Sequence, residues 1–214
     1  MKNERPLRIV VNKHKVVKGI WDPYYYRTLR TKGRLSDYVS VRTIGSRTLS
    51  KVMFRPIRYA DILVGNSMVF VLERMDSKRG IPARVGCVGE QTILFGTMRG
   101  YLANIVVTPR AEWIGLESPQ FFPTGSEFVE VVPNDGLVYF WWAYLHKKEF
   151  LDNLPKGHGG TRPRIKPESI GGMPASAPEL DARKDIDSKL GAIAEHEWRS
   201  YVARTQIMKS IELM

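Results

Sequence analysis

One set of residues carries the charges that phosphodiester hydrolysis would need: Asp61, then Asp76-x-Lys78 fifteen residues on. Two carboxylates can hold a divalent cation, and a lysine beside them can stabilise charge on a phosphate. The triplet is weakly specific, because Asp187-x-Lys189 repeats it in a helical stretch. Trp21-Asp22-Pro23-Tyr24 has an Asp-Pro-aromatic order suited to gripping an amine. It lacks a second proline, and no glycine-rich strand-to-helix turn for a nucleoside cofactor precedes it. His14, His146, His158 and His196 are scattered, and with the single Cys87 they give no metal-ligand spacing. No G-x-x-x-x-G-K phosphate loop is present. Cys87, between Gly86 and Val88, reads as a buried small hydrophobe. These residues predict no catalytic centre, no metal and no cofactor.

The basic residues say more. Residues 1–60 hold fifteen Lys and Arg against Glu4, Asp22 and Asp37, while the other 154 residues hold eighteen basic and nineteen acidic side chains. The whole net charge of +11 therefore sits at one end, which predicts a polyanion partner. Arg30, Lys32, Arg34, Arg42, Arg47, Lys51, Arg55 and Arg58 are the expected phosphate contacts. Trp21 and Tyr24 to Tyr26 read as a buried corner rather than a stacking surface. Further on, residues 157 to 165 read "GHGGTRPRI", three glycines and two arginines in nine positions. Arg162 and Arg164 flank Pro163, which stiffens the frame that holds them. They are expected to face either phosphate or a structural carboxylate. One cysteine permits no internal disulfide, and neither a signal-peptide-like start nor a long apolar run is present. A cytoplasmic protein with no membrane contact is expected.

The elements that must position these residues fall into two groups. "LRIVVNKHKVV" alternates as a first strand, and strands are expected near 37–45, 58–66 and 68–74. Short strands broken by glycine and proline follow over 80–98, then "ANIVVTP" and "SEFVEVVP", each stopped by proline. From Asn134 or Asp135 as N-cap, apolar residues at helical spacing predict a helix over 135–154. Trp141 and Trp142 are adjacent, so one of them is expected at an interface or rim. "PESIGGMPASAPEL" reads as a linker too broken for the core. A long helix is predicted over 179–212, with a seam of Ile186, Leu190, Ile193, Tyr201, Met208 and Ile211. The expected fold class is α+β: a mostly β domain with a packed helix over 1–170, then linker and long helix over 171–214.

"IPARVGCVGEQTILFGTMRGYLANIVVTP", "SEFVEVVP" and "GGTRPRIKPESIGGMPASAPEL" occur in that order. They resemble the target-recognition domain of the DNA-specificity subunit of type I restriction–modification systems, over residues 58 to 212. Arg99, Tyr101, Leu102, Asn104 and Ile105 match one element of that pattern, and Gly160 to Ile165 match its loop. Gln91 and Gly100 depart from it, "ESPQFFPTG" looks inserted, and residues 1–35 match nothing in it. The resemblance implies a non-catalytic subunit that binds double-stranded DNA and directs partner methyltransferase and restriction subunits. With one recognition domain and one long helix, the chain looks like a half-subunit that pairs with a second copy of itself. It equally fits a standalone or inhibitory DNA-binding module. Base readers are expected on variable loops: Ser46 with Arg47 beside it, Asn66, Ser67, Arg74, Lys78 and Arg79. The metal-dependent nuclease of Asp61, Asp76 and Lys78 is the remaining reading.

Overall fold

A computed structural model describes residues 33–49, 53–63, 68–75, 83–98, 102–117, 120–155, 157 and 163–212. The expected first strand, the tyrosine corner and the residues Arg30, Lys32, Lys51, Asn66, Ser67, Asp76, Lys78, Arg79 and Arg162 lie outside them. The fold is α+β, several antiparallel sheets with a long C-terminal helix.

The central sheet contains β2 (Val39–Thr43), β5 (Ile93–Gly96), β6 (Ile105–Val107) and β8 (Phe128–Pro133), in the order β2-β8-β5-β6. Every pairing is antiparallel, with Val41 opposite Val131 and Leu94 opposite both Glu130 and Val106. All residues of β5 and β6 are buried, which is why they read as continuous apolar runs rather than alternating ones. A second sheet joins β3 (Ser46–Leu49), β4 (Ala83–Val88) and β7 (Phe122–Pro123). A third pairs β1 (Gly33–Arg34) with β9 (Pro174–Ala175).

The predicted helix over 135–154 is two helices, α1 (Val138–Leu145) and α2 (Lys148–Asp152). Both tryptophans of α1 are buried, contrary to the expectation that one lies at a rim. A helix apolar all round is covered on more than one side. Here the Trp142 indole donates to the Ile105 carbonyl at 3.0 Å, on the sheet side. The Trp141 indole donates to Asp135, and the Tyr144 hydroxyl accepts from the Ser176 amide.

The supposed linker is part of the core. Residues 167–171 form α3 (Pro167–Gly171), with Pro167 opening its first turn. Ile170, Met173 and Ala175 are buried, and the Leu35 amide donates to the Met173 carbonyl. The boundary placed at 170/171 thus falls inside α3. Of the strand expected over 58–66, residues 58–63 are described, and they hold a 3-10 turn at Tyr59–Asp61. Residues 68–74 form no strand and, among the described residues, pair through isolated bridges, Ile62 to Phe70 and Phe54 to Arg74.

The long helix α4 (Leu180–Glu212) runs as predicted, 33 residues. It packs on α1 and on the 3-10 turn Ala111–Ile114. Ala194 and Trp198 are buried, and Leu190, Tyr201 and Val202 pack against the same core. The seam expected to be bare is therefore half covered by the chain's own domain. Gly191 makes that approach possible, because a Cβ there would sit 3.2 Å from the Tyr139 ring.

Candidate nucleic-acid interface

The most open part of the β structure is the pairing of β3 with β4. Ser46 stands opposite Gly86, Arg47 opposite Val85 and Thr48 opposite Arg84. Among the described residues β7 joins β4 only at Cys87 and Val88, so the four β3–β4 pairs form a two-stranded ribbon. Ser46, Arg47, Thr48 and Arg84 are all exposed on it. Arg47, Val85, Cys87 and Pro123 share one face, by the alternation of side chains along paired strands. On that face the Arg47 guanidinium lies over the Phe121 ring, 4.8 Å from its centre. Cys87 is buried beneath, and burial pushes its thiol pKa up.

The structure separates the basic residues grouped in the sequence. Arg42, on β2, forms an ion pair with Glu130 on β8. Arg55 holds Asp61 at 2.6 Å and Glu73 at 2.7 Å. Arg58 is exposed, with its Nε 3.8 Å from Asp61. The Arg34 amide donates to Asp37 at 2.7 Å. Of the expected phosphate contacts, Arg47 and Arg58 present the least committed guanidinium groups among the described residues. Arg74 is exposed but points along the domain, donating to the Ile114 carbonyl at 3.4 Å. It lines a groove of about 540 Å³ between α4 and residues 71–74, together with Tyr201 and Lys209.

Asp61 is a structural carboxylate. One oxygen takes the Arg55 guanidinium, the other the Arg58 amide at 2.8 Å. Among the described residues no three His, Cys, Asp or Glu are grouped to hold a metal.

In the glycine–arginine loop, Gly157 lies against the backbone of Pro163, where a Cβ would come within 2.8 Å. The loop closes on itself, and only glycine permits it there. Arg164 is exposed and donates to the Ser126 carbonyl at 3.0 Å. Ile165 is buried, and its amide donates to the Thr97 carbonyl. This end of the motif ties the loop to β5 and its neighbours.

The second feature is the outer face of α4. Ile186, Ile193, Ile207, Met208 and Ile211 are exposed, Ile193 at 50% and Ile207 at 61%. Ile186, Ile193 and Ile207 recur at multiples of seven, the spacing of a pairing seam. Charge divides along the helix. Residues 180–198 carry five acidic and three basic side chains, residues 199–212 three basic and one acidic.

Several of these residues were not visible from the sequence. Arg84 and Phe121 join Arg47 only through strand pairing. Ile207 escapes a seam traced through Tyr201 and Met208. Asp187 reads as solvent-facing, yet it is half-buried and caps α1.

No protein-family model matches the chain, and no curated protein does. One solved structure similar to it comes from a study of the complex assembly and conformational transition of the type I R-M system. It is 15% identical, covers 84% of this chain and has a TM-score of 0.43. The chain spans 41% of the length of that one.

Proposed function

We propose that this chain is the DNA-specificity half-subunit of a type I restriction–modification complex. It selects a duplex site and brings methyltransferase and restriction subunits to it, with no catalytic step of its own. The observation that carries the reading is the bare β3–β4 ribbon with Ser46, Arg47, Thr48 and Arg84 exposed. A two-stranded ribbon fits the major groove of B-form DNA, and the net charge of +11 favours a polyanion. The order of the sequence motifs over 58–212 supports the same assignment. In this reading residues 1–170 recognise DNA and residues 171–214 carry the spacer helix.

The free face of α4 supports pairing with a second copy. Antiparallel pairing sets the acidic half of one helix against the basic half of the other and buries the exposed isoleucines. A helix of 33 residues spans about 50 Å, on the order of fifteen base pairs. One observation favours the standalone module instead: Ala194, Trp198 and Tyr201 already dock the helix on its own domain.

Fluorescence anisotropy with a labelled duplex, across a salt series, tests the assignment. Neutralising six to ten phosphates weakens binding by ~10³–10⁵ between 50 and 200 mM salt. No binding at low salt, or a flat response, overturns it. Sedimentation with the methyltransferase subunit separates the half-subunit, which joins it, from the standalone module, which does not.

A further inference from the structure

We infer that Arg47 reads a base edge, and that Phe121 is the residue that positions it. The inference rests on the DNA-binding assignment and assigns this site a specific ligand, a guanine in the major groove.

A phosphate contact needs a positive charge and tolerates a mobile side chain. A bidentate contact to guanine O6 and N7 needs the guanidinium fork fixed in one plane. The arginines on neighbouring elements are oriented by carboxylates: Arg42 by Glu130, Arg55 by Asp61 and Glu73. Those contacts commit the Arg42 Nε and the Arg55 Nη2, one donor of each guanidinium, to a carboxylate. Arg47 is held differently. Its guanidinium lies 4.8 Å from the centre of the Phe121 ring. Stacking uses the face of the guanidinium and leaves the N–H groups at its edge free. No carboxylate among the described residues lies within ion-pair reach of it.

Position agrees with this. Arg47 is on the exposed ribbon, and Phe121 is 42% exposed beside it. An apolar ring left that open gains by contact with a partner. A base pair docked on Arg47 brings apolar surface to the free part of the ring. Arg84 lies on the opposite face of the ribbon, paired through Thr48, and is not stacked by any described ring. It has the freedom of a phosphate contact.

The test uses the full chain and a duplex library randomised at its centre, with selected sequences counted and total binding measured across salt. Wild type enriches sites with guanine at one position. Arg47→Lys keeps the charge and loses the fork, so enrichment at that position falls roughly tenfold or more while the salt slope is unchanged. Phe121→Ala gives the same pattern, and Phe121→Tyr, which keeps the ring, restores it. Arg84→Ala instead weakens all sequences alike and lowers the slope by about one. The inference is overturned if Arg47→Lys and Phe121→Ala leave the enriched sequences unchanged. It is also overturned if they weaken every sequence equally, the mark of a phosphate contact or a merely structural pair. Absence of binding by wild type removes the DNA-binding assignment itself.

Discussion

The Asp187 carboxylate, two turns into the long helix, accepts the backbone amide of Tyr139 at 2.7 Å. The same oxygen accepts the Phe140 amide at 2.9 Å. Those amides belong to the first turn of α1, whose own N-cap position is Leu137 and offers no side-chain oxygen. The cap that Asn134 or Asp135 was expected to provide comes from a helix 48 residues away. Asp135 is used in the reverse direction, taking an ion pair from Arg183 of α4 that is largely buried on both sides. Asp187 of α4 therefore completes the first turn of α1, and α4 cannot leave the domain without exposing two α1 amides.

Asp187→Ala removes that cap and is expected to cost about 1–2 kcal/mol, the usual loss for a capping residue. Asp187→Asn keeps an oxygen at the same place and discards a charge. Burial raises the Asp187 pKa, so the carboxylate is under-solvated where it sits. The asparagine variant should melt at or above the wild-type temperature at neutral pH, and the alanine variant below it. Thermal or urea unfolding of the three proteins checks this order. Equal losses for both variants would mean that the charge, not the acceptor, holds the helix.

The pH dependence follows from two groups of opposite sign. Burial lowers the His146 pKa, although its Nδ1 lies 2.9 Å from the Trp142 carbonyl. The unfolded chain then binds the proton more readily. The stability His146 contributes is present above its ordinary value of about 6.5 and is lost as pH falls below it. Asp187 has a raised pKa, so its contribution is present at acid pH and is lost as pH rises through that raised value. As pH falls from 7 through about 6.5, loss of the His146 contribution should lower the unfolding free energy. His146→Asn, which does not titrate, should flatten the curve over that window. An unchanged slope in the variant counts against the buried neutral imidazole.

Segment 68–75 is tied to the long helix on one side. The Met68 amide donates to Glu197 at 3.2 Å and the Leu72 amide donates to the Tyr201 hydroxyl at 3.2 Å. On the other side the Val71 and Met75 amides go to the Asp61 and Met53 carbonyls. Phe70 and Trp198, both buried, meet edge to face at 5.1 Å. Trp198→Ala should cost ~3–5 kcal/mol, and Tyr201→Phe about 1 kcal/mol. Because both act on one segment, the double variant should cost less than the sum. Strict additivity in urea unfolding would deny the shared segment.

These contacts mark where the sequence was legible and where it was not. β6 and β8 could be read because apolar runs closed by proline are local signals, and β5 because its apolar residues stand between the glycine breaks of 80–98. The long helix could be read from its periodicity over 33 residues. Residues 68–74 carried a strand's composition, but side chains 129 residues away take the amides that a neighbouring strand would take. Ile170, Met173 and Ala175 enter the core from a stretch whose prolines and glycines resemble a linker, because burial depends on what packs there. Trp141 and Trp142 are both interior because α1 is covered on more than one side, which its own residues cannot express. The arginines were visible as charge. Which of them meets a ring and which a carboxylate depends on strand register for Arg42 and Arg47 and on loop packing for Arg55.

The outer face of α4 yields the last prediction. Leu190, one of the residues of the expected seam, packs against the chain's own core. An aspartate there would damage the domain whether or not the helix pairs. Ile193 and Ile207 are exposed at 50% and 61% and touch the question directly. If two copies pair antiparallel, Ile193→Asp and Ile207→Asp bury a charge in the seam and break the dimer, while the unfolding temperature of the monomer is unchanged. The acidic and basic halves also make pairing tighter at low salt, because opposite charges meet along the helix. Sedimentation equilibrium at two salt concentrations therefore gives a dimer for wild type that weakens with salt, and monomers for both variants. A wild-type monomer at every concentration would mean that the docking through Ala194, Trp198 and Tyr201 satisfies the helix, and the standalone module would replace the half-subunit.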